Sequence, residues 1–309
     1  MTIKLNAREY ASSTMDGFVH FLETDGVIGR LRNSKYDIDD MNCLAARLYA
    51  LAASKDNLLN HIIAELEEPT RFQIRNNGQS QGFILYRTPY YTIRLMIWIP
   101  AGPQAKPTPF SYESAHDHAF DLMSVGFFGP GYRTSLYSFD YNDPIRSVDG
   151  LTRLDYKGDE YLREGEVIYY FANQDVHVQH APISLSASLN LIIVKPNSAA
   201  RQTVFDLQED SSSGNVAWGK PRFNSQSRLV GQRSIFSVLS MHGNARSRLA
   251  MAKIARDHEL EEVKALAWAA LLQGKFSDPH LHAELAEEKS TFVKNIVTGY
   301  RLTRERLAT

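Results

Sequence analysis

Two stretches decide how this chain is read: residues 115–121, Ala115-His116-Asp117-His118-Ala119-Phe120-Asp121, and residues 165–177, Gly165-Glu166-Val167-Ile168-Tyr169-Tyr170-Phe171-Ala172-Asn173-Gln174-Asp175-Val176-His177. On a β-strand, side chains i and i+2 share a face, so His116 and His118 can reach one ion without distorting the backbone. The second stretch opens on a glycine and runs through β-branched and aromatic residues before a polar turn leads to His177. A strand, a tight loop and a returning strand would bring His177 in as a third ligand. Neutral imidazole suits Fe, Zn, Cu, Ni and, more weakly, Mn, and three imidazoles leave open positions on an octahedral ion for chemistry. A lone buried histidine is ordinarily a hydrogen-bonded core residue; a His-x-His pair joined by a third His after a Gly-led strand is a more specific signal. His180, just beyond His177, reads as a partner to the ligands, or as the third ligand if the strand register differs.

Strand texture spreads outward from these stretches. After Pro69 the chain turns to short β-branched and aromatic runs punctuated by Gly, Pro, Asn and Asp, which predicts consecutive antiparallel strands over about 82–88, 90–99, 114–120, 122–128, 132–140, 151–156, 166–171, 176–181, 187–195 and 201–207. Gly129-Pro130-Gly131, Asn142-Asp143-Pro144 and Lys157-Gly158-Asp159 are the expected turns. Before this block, residues 37–66 repeat apolar positions at helical spacing, with Asp39 and Asp40 where acidic groups suit a helix start. After it, residues 209–235 are polar and Gly/Ser-rich, a linker or surface crossing. Residues 236–309 return to helical patterning, with Leu260, Val263, Leu266, Ala267, Ala270 and Leu271 on one face. The expected fold class is α+β: a helical segment over 1–70, a central antiparallel β-barrel over 71–208, and a C-terminal helical hairpin or bundle.

Composition narrows the partners. The chain has 309 residues, with 34 Lys and Arg against 35 Asp and Glu and a formal net charge of -1, so no basic field draws it to nucleic acid or anionic lipid. A small-molecule substrate is the expected partner; self-association as a homodimer is compatible with the chain. The N-terminus lacks the apolar run of a signal peptide, and Leu95–Pro100 and Leu189–Val194 fall far short of a bilayer span. A cytoplasmic location is therefore expected. Cys43, the single cysteine, lies in the apolar helical pattern around Leu44 and Leu48 and reads as a structural thiol. The other pair, His280-Leu281-His282, follows Asp278-Pro279 at a helix start, where i and i+2 diverge by about 200° around the axis and do not share an ion. His20, His61, His242 and His258 belong to no constellation.

The histidine stretches resemble the cupin superfamily, whose first motif is His-x-His followed by Glu and whose second is a Gly-led strand ending in His. His116, His118 and Gly165 match; His177 comes one residue later than the usual spacing. Phe110 stands where the family has a glycine, and Phe171 and Asn173 stand for its Pro and second Gly. The family's Glu would fall at Leu122 or Met123. Asp121 is one position early, so either a bulge makes Asp121 a fourth ligand or the set is three histidines, as in the thiol-dioxygenase branch that includes cysteine dioxygenase. The resemblance implies a jelly-roll barrel and favours the three-histidine set, with Fe(II) as cofactor (Zn, Mn or Ni as alternatives), O2 as co-substrate and a non-haem dioxygenase acting on a small molecule. A redox-neutral isomerase, hydrolase or decarboxylase, and a non-catalytic sensor or interaction protein, are the competing classes.

Strand 90–99 alternates Tyr90, Thr92, Arg94, Met96 and Trp98 on one face with the apolar Tyr91, Ile93, Leu95, Ile97 and Ile99 on the other. Arg94 among aromatics is a candidate carboxylate clamp, with Tyr90 and Trp98 beside it as substrate-binding residues; Arg87 and Arg133 are weaker candidates. Tyr137, Tyr169 and Tyr170 flank the expected site, and Tyr137 and Tyr170 join Asp121 and His180 as catalytic or ligand-supporting candidates. No GxxxxGK, GxGxxG or GxSxG motif and no Cys cluster is present.

Overall fold

A computed structural model describes residues 2–5, 7, 12–67, 80–101, 112–140, 151–196, 202–208, 216–222 and 227–298. A short strand, β1 (Ile3–Leu5), precedes four helices: α1 (Met15–Thr24), α2 (Val27–Arg32), α3 (Ile38–Ala53) and α4 (Lys55–Glu67). Eleven strands follow: β2 (Ser80–Arg87), β3 (Tyr91–Trp98), β4 (Ala115–His116), β5 (Phe120–Phe128), β6 (Tyr132–Ser138), β7 (Thr152–Leu162), β8 (Val167–Tyr170), β9 (Asp175–Gln179), β10 (Ser186–Val194), β11 (Val204–Leu207) and β12 (Val216–Arg222). Helices α5 (Ser227–His242), α6 (Ala245–Asp257), α7 (Glu261–Gln273) and α8 (Pro279–Ala286) come last. The fold is α+β. One six-stranded sheet runs β1-β8-β5-β10-β3-β2, and the other six strands form a closed barrel in the order β11-β12-β7-β6-β9-β4.

The chain divides into two compact units, residues 1–139 with 155–198, and residues 140–154 with 199–309. In the first, strand parity sorts the side chains. Tyr91, Ile93 and Leu95 of β3, Met123 and Val125 of β5, Tyr169 of β8 and Leu189, Leu191 and Ile193 of β10 share one core with Phe18, Leu22, Leu44, Leu48 and Leu51 of the helices. Their neighbours in sequence point the other way, where Trp98, Leu122, Tyr132, Leu136, Ile168 and Tyr170 form a second cluster. Helix α3 starts on Asp37, whose carboxylate accepts the backbone N–H groups of Asp39 and Asp40. Its Leu44, Leu48 and Leu51 recur at helical spacing and are fully buried, each contributing about 1.5–3 kcal/mol of hydrophobic stabilisation; truncating Leu48 to Ala would cost about 2–5 kcal/mol.

The expected turn Gly129-Pro130-Gly131 joins β5 to β6. Gly131 has φ +78°, and a Cβ there would lie 1.9 Å from the Leu162 carbonyl oxygen, so only glycine fits. Other boundaries differ from expectation. The strand expected over 114–120 ends at His116 and resumes as β5 at Phe120. Lys157-Gly158-Asp159 is no turn but lies within β7, where Gly158 at φ +110° meets a shift in the β6–β7 register beside Leu136 and Tyr137; a glycine can absorb such an irregularity without ending the strand. The polar segment 209–235 carries β12 and the start of α5. Asn142-Asp143-Pro144 and Phe110 lie outside the described residues.

In the second unit, α5–α8 and a further helical stretch, 291–298, pack around Met251, Leu266, Trp268, Leu271, Val293 and Ile296. A capping box between Asn244 and Ser247 starts α6, and Asp278 caps α8 with Pro279 in its first turn. Among the described residues, no helix is long and apolar enough to cross a membrane.

Candidate metal centre

His116 on β4 stands opposite His177 on β9 in the antiparallel register. Their Nε2 atoms are 3.1 Å apart, and one nitrogen from each of His116, His118 and His177 lies within 4.8 Å of the others. All three are buried, His177 completely. His118 arrives from the irregular segment after β4, held by the β8–β9 turn, where the Asn173 N–H donates to the His118 carbonyl at 2.8 Å. Asn173 has φ +57°, a left-handed conformation that Asn tolerates better than most residues. Asp175 closes that turn by accepting the Phe171 N–H at 2.7 Å.

The protonation states suit coordination. His116 Nδ1 is 2.9 Å from the Ser114 carbonyl oxygen, so Nδ1 carries the hydrogen and Nε2 keeps its lone pair. Burial, then the charges His177, His116 and Arg94 would carry, pushes His118 well below the ordinary imidazole range. Burial, then His116, does the same to His177, and burial lowers His116 despite its bond to Ser114. Neutral imidazoles result. Two donors about 2.1 Å from an ion at right angles stand about 3 Å apart, which matches the Nε2 spacing. Nδ1 of His118 and of His177 makes no hydrogen bond. The donor set therefore fits a first-row transition ion.

Among the described residues, no carboxylate belongs to this group. Leu122 points to the histidine side of β5 and offers no lone pair. Asp121, expected as a fourth ligand or as support for an imidazole, has the opposite parity: Oδ1 accepts from Tyr36 and from the Ala172 N–H, and Oδ2 from Tyr169 and Lys195. The β5–β10 register is regular from Phe120 to Ser124, so no bulge there brings Asp121 inward. Asp121 and Tyr169 thus anchor the helix-side core, away from the histidines.

Of the remaining candidates, Arg94, Trp98 and Tyr170 lie on the histidine side of the six-stranded sheet, Trp98 and Tyr170 in one cluster with Tyr132 and Leu136 of β6. Tyr170 meets His177 edge to face at 4.7 Å. Trp98 packs 4.6 Å from Tyr132 and donates to Ser188 Oγ at 2.9 Å. Nε of Arg94 has no hydrogen-bond partner, and burial pulls the guanidinium down to about 10. Ser124 Oγ is also buried without a hydrogen-bond partner, and the buried hydroxyls of Tyr132 and Tyr170 have only the Ser188 and Thr134 hydroxyls beside them. Such groups are costly unless a bound polar molecule satisfies them.

The others lie elsewhere. Tyr90 is 53% exposed beneath the Arg32 guanidinium. Tyr137 lies on the outer face against Tyr156, and His180 bonds to Glu113 and Ser135 rather than joining the three histidines. Arg133 pairs with Asp159, and Arg87 is exposed. Tyr132, Ser114 and Asp175 were not among the sequence candidates. Tyr132 had a readable signal, strand parity after Gly131, whereas a backbone carbonyl such as that of Ser114 leaves none.

By sequence, the chain matches no protein-family model and no curated protein. Among solved structures it is similar to a cupin superfamily protein from Desulfitobacterium hafniense, at 13% identity over 41% of this chain and 86% of that one, TM-score 0.25. It is similar to a cupin domain from Bordetella pertussis, at 10% identity over 38% and 97%, TM-score 0.24. The DMSP lyase DddQ from Ruegeria pomeroyi aligns at 11% identity over 50% and 67%, TM-score 0.30. Solved cupin structures are among those this chain is similar to; its own geometry is that of an antiparallel β-sheet fold with a closed barrel, in which three histidines converge.

Proposed function

We propose that the protein is a non-haem Fe(II) oxygenase, of the dioxygenase kind, that acts with O2 on a small anionic substrate. The observation that carries this reading is the pairing of a group of three histidines, His116, His118 and His177, with the buried Arg94, whose Nε is unpaired and whose charge acts on His116 and His118. An Fe(II) ion held by the three imidazoles would supply Lewis acidity and a redox-active centre at which O2 oxidises the substrate, the electrons coming from the substrate itself.

The chain's own residues supply the rest. The Ser114 carbonyl fixes the His116 tautomer. With neutral ligands, the interior keeps the full positive charge of the ion beside that of Arg94, a field that favours a carboxylate or thiolate. The guanidinium fork would hold two oxygens of such a substrate. Hydroxyls of Tyr132 and Tyr170 offer hydrogen bonds to it, and burial holds both phenols protonated by raising their pKa. The walls of Trp98, Leu122 and Leu136 exclude bulk water, which strengthens each of these interactions.

The test is anaerobic reconstitution with Fe(II), metal analysis, and O2 uptake across a panel of small carboxylates and thiols, with neutral amides and thioethers as controls. Stoichiometric iron and O2 consumption with anionic compounds alone is the expected result. Stoichiometric Zn, Mn or Ni in freshly purified protein, with no O2 uptake, would move the assignment to redox-neutral chemistry.

A further inference from the structure

We propose that Glu113 is a positioning residue for the metal centre, acting through Ser114 on the His116 tautomer; this rests on the three-histidine reading above. Glu113 is one of three non-glycine residues with positive φ among the described residues, at +56°, a conformation that persists only where surroundings enforce it. Two contacts do so. Its N–H donates to the Gln179 carbonyl at 3.0 Å, and its carboxylate accepts from His180 Nδ1 at 2.8 Å.

His180 is itself fixed. Its N–H donates to the Arg133 carbonyl, and its Nε2 is 2.8 Å from Ser135 Oγ. Ser135 donates in turn to Asp159 at 2.7 Å, and Asp159 also accepts from Arg133 and Tyr156. The Ser135, His180 and Glu113 spacing is that of a nucleophile, a base and an orienting carboxylate. Yet the hydroxyl proton is shared with Asp159, and Ser135 lies mid-strand in β6, so the chain of contacts is a brace rather than an acyl-transfer site.

The brace ends one residue before the carbonyl that matters. Glu113 sets the direction in which the chain enters β4, and the Ser114 carbonyl that follows receives the hydrogen of His116 Nδ1. Glycine would take the same backbone conformation freely, so a glutamate here is explained by its side chain. Holding the carbonyl at Nδ1 keeps Nε2 as the lone-pair nitrogen beside His177 Nε2. Outer partners of this kind change metal affinity by about ten- to a hundredfold.

The experiment uses the full chain in four forms: wild type, Glu113→Gln, Glu113→Gly and Glu113→Ala. Two readouts are taken, Co(II) affinity from visible absorption, and the His116 tautomer in metal-free protein from long-range nitrogen–proton correlation spectra. Glu113→Gln retains a hydrogen-bond acceptor for His180 and should match wild type. Glu113→Ala keeps an unfavourable backbone conformation without the brace, so it should weaken Co(II) by about tenfold or more and mix the tautomers; Glu113→Gly, free to adopt positive φ, should fall between. His180→Ala should reproduce Glu113→Ala, and the double variant should be no worse. A single Nδ1–H tautomer in every variant, or an equal loss in all three Glu113 variants, would overturn the proposal. Failure of the wild type to bind Co(II) would instead overturn the metal reading, and the tautomer spectra would still decide the role of Glu113.

Discussion

Asp121 and Lys195 meet in a 2.6 Å ion pair on the face of β5 that looks away from the histidines, with both side chains almost wholly buried. Lys195 also donates to the Leu31 carbonyl at 2.6 Å and lies over the Tyr36 ring, so the pair ties β5 and β10 to the helical layer. Removing one partner of a buried pair strands the other charge and costs about 3–5 kcal/mol. Asp121→Asn should therefore lower stability by about that amount in urea denaturation while leaving bound metal stoichiometric. Unchanged stability with the ion lost would return Asp121 to the coordination sphere.

His116→Ala and His118→Ala should each abolish stoichiometric metal binding with the fold retained, since the cores on the two sheet faces are built from apolar side chains. His280→Ala combined with His282→Ala should change nothing, because that pair occupies the first turn of α8. Metal content by elemental analysis, alongside far-ultraviolet circular dichroism, checks both. Half-occupancy in the α8 double variant would reveal a second site.

Strand parity made much of this legible. The alternation in β3 separated Arg94, Met96 and Trp98 from Tyr91, Ile93 and Leu95, and the same rule applied to β5 would have assigned Asp121 to the helix side, with Leu122 and Ser124 facing inward. What misled was the local irregularity after His116, which left the parity between His118 and Asp121 open. The brace through Glu113, His180 and Ser135 was illegible for another reason. Its members come from the segment before β4, the end of β9 and the middle of β6, and only the antiparallel register brings them together. The break expected at Lys157-Gly158-Asp159 failed because a Gly-Asp pair that favours turns is also accommodated within a strand when the partner strand shifts register.

Arg94 holds a trade between stability and binding. A guanidinium whose buried Nε lacks a partner disfavours the folded state, and burial lowers its pKa to about 10. Arg94→Met, similar in length and apolar, should raise stability by about 1–4 kcal/mol. It should also abolish the change that small carboxylates produce in the visible spectrum of the Co(II)-loaded protein. Arg94→Lys keeps the charge and loses the fork, and should weaken that response by about tenfold. Full carboxylate binding by Arg94→Met would end its assignment as the anion clamp.

The last expectation concerns pH and follows from the sign of the histidine shifts. In the unfolded chain each imidazole titrates near its ordinary value of about 6.5. In the folded, metal-free protein, burial first, with charge repulsion added, holds His118 and His177 well below that value. Between the two values the unfolded state binds more protons, so folding stability is fully present above about 6.5 and is lost as pH falls below it. A group that stays neutral in the folded state costs at most about 1.4 kcal/mol of stability per pH unit once pH is well below 6.5, so His118 and His177 should make the protein less stable at pH 5.5 than at pH 7.5. That window lies above the ordinary titration range of the carboxylates; Asp175, which burial raises, acts with the opposite sign. Urea midpoints of metal-free wild type should fall over it, whereas His118→Phe combined with His177→Phe should give a much flatter profile. Saturating Co(II) binds only the folded, deprotonated ligands and should hold the wild-type midpoint up until protons displace the ion. A metal-free wild type whose midpoint stays constant from pH 7.5 to 5.5 would mean that the imidazoles are not buried as a neutral group, and the metal-centre geometry would have to be redrawn.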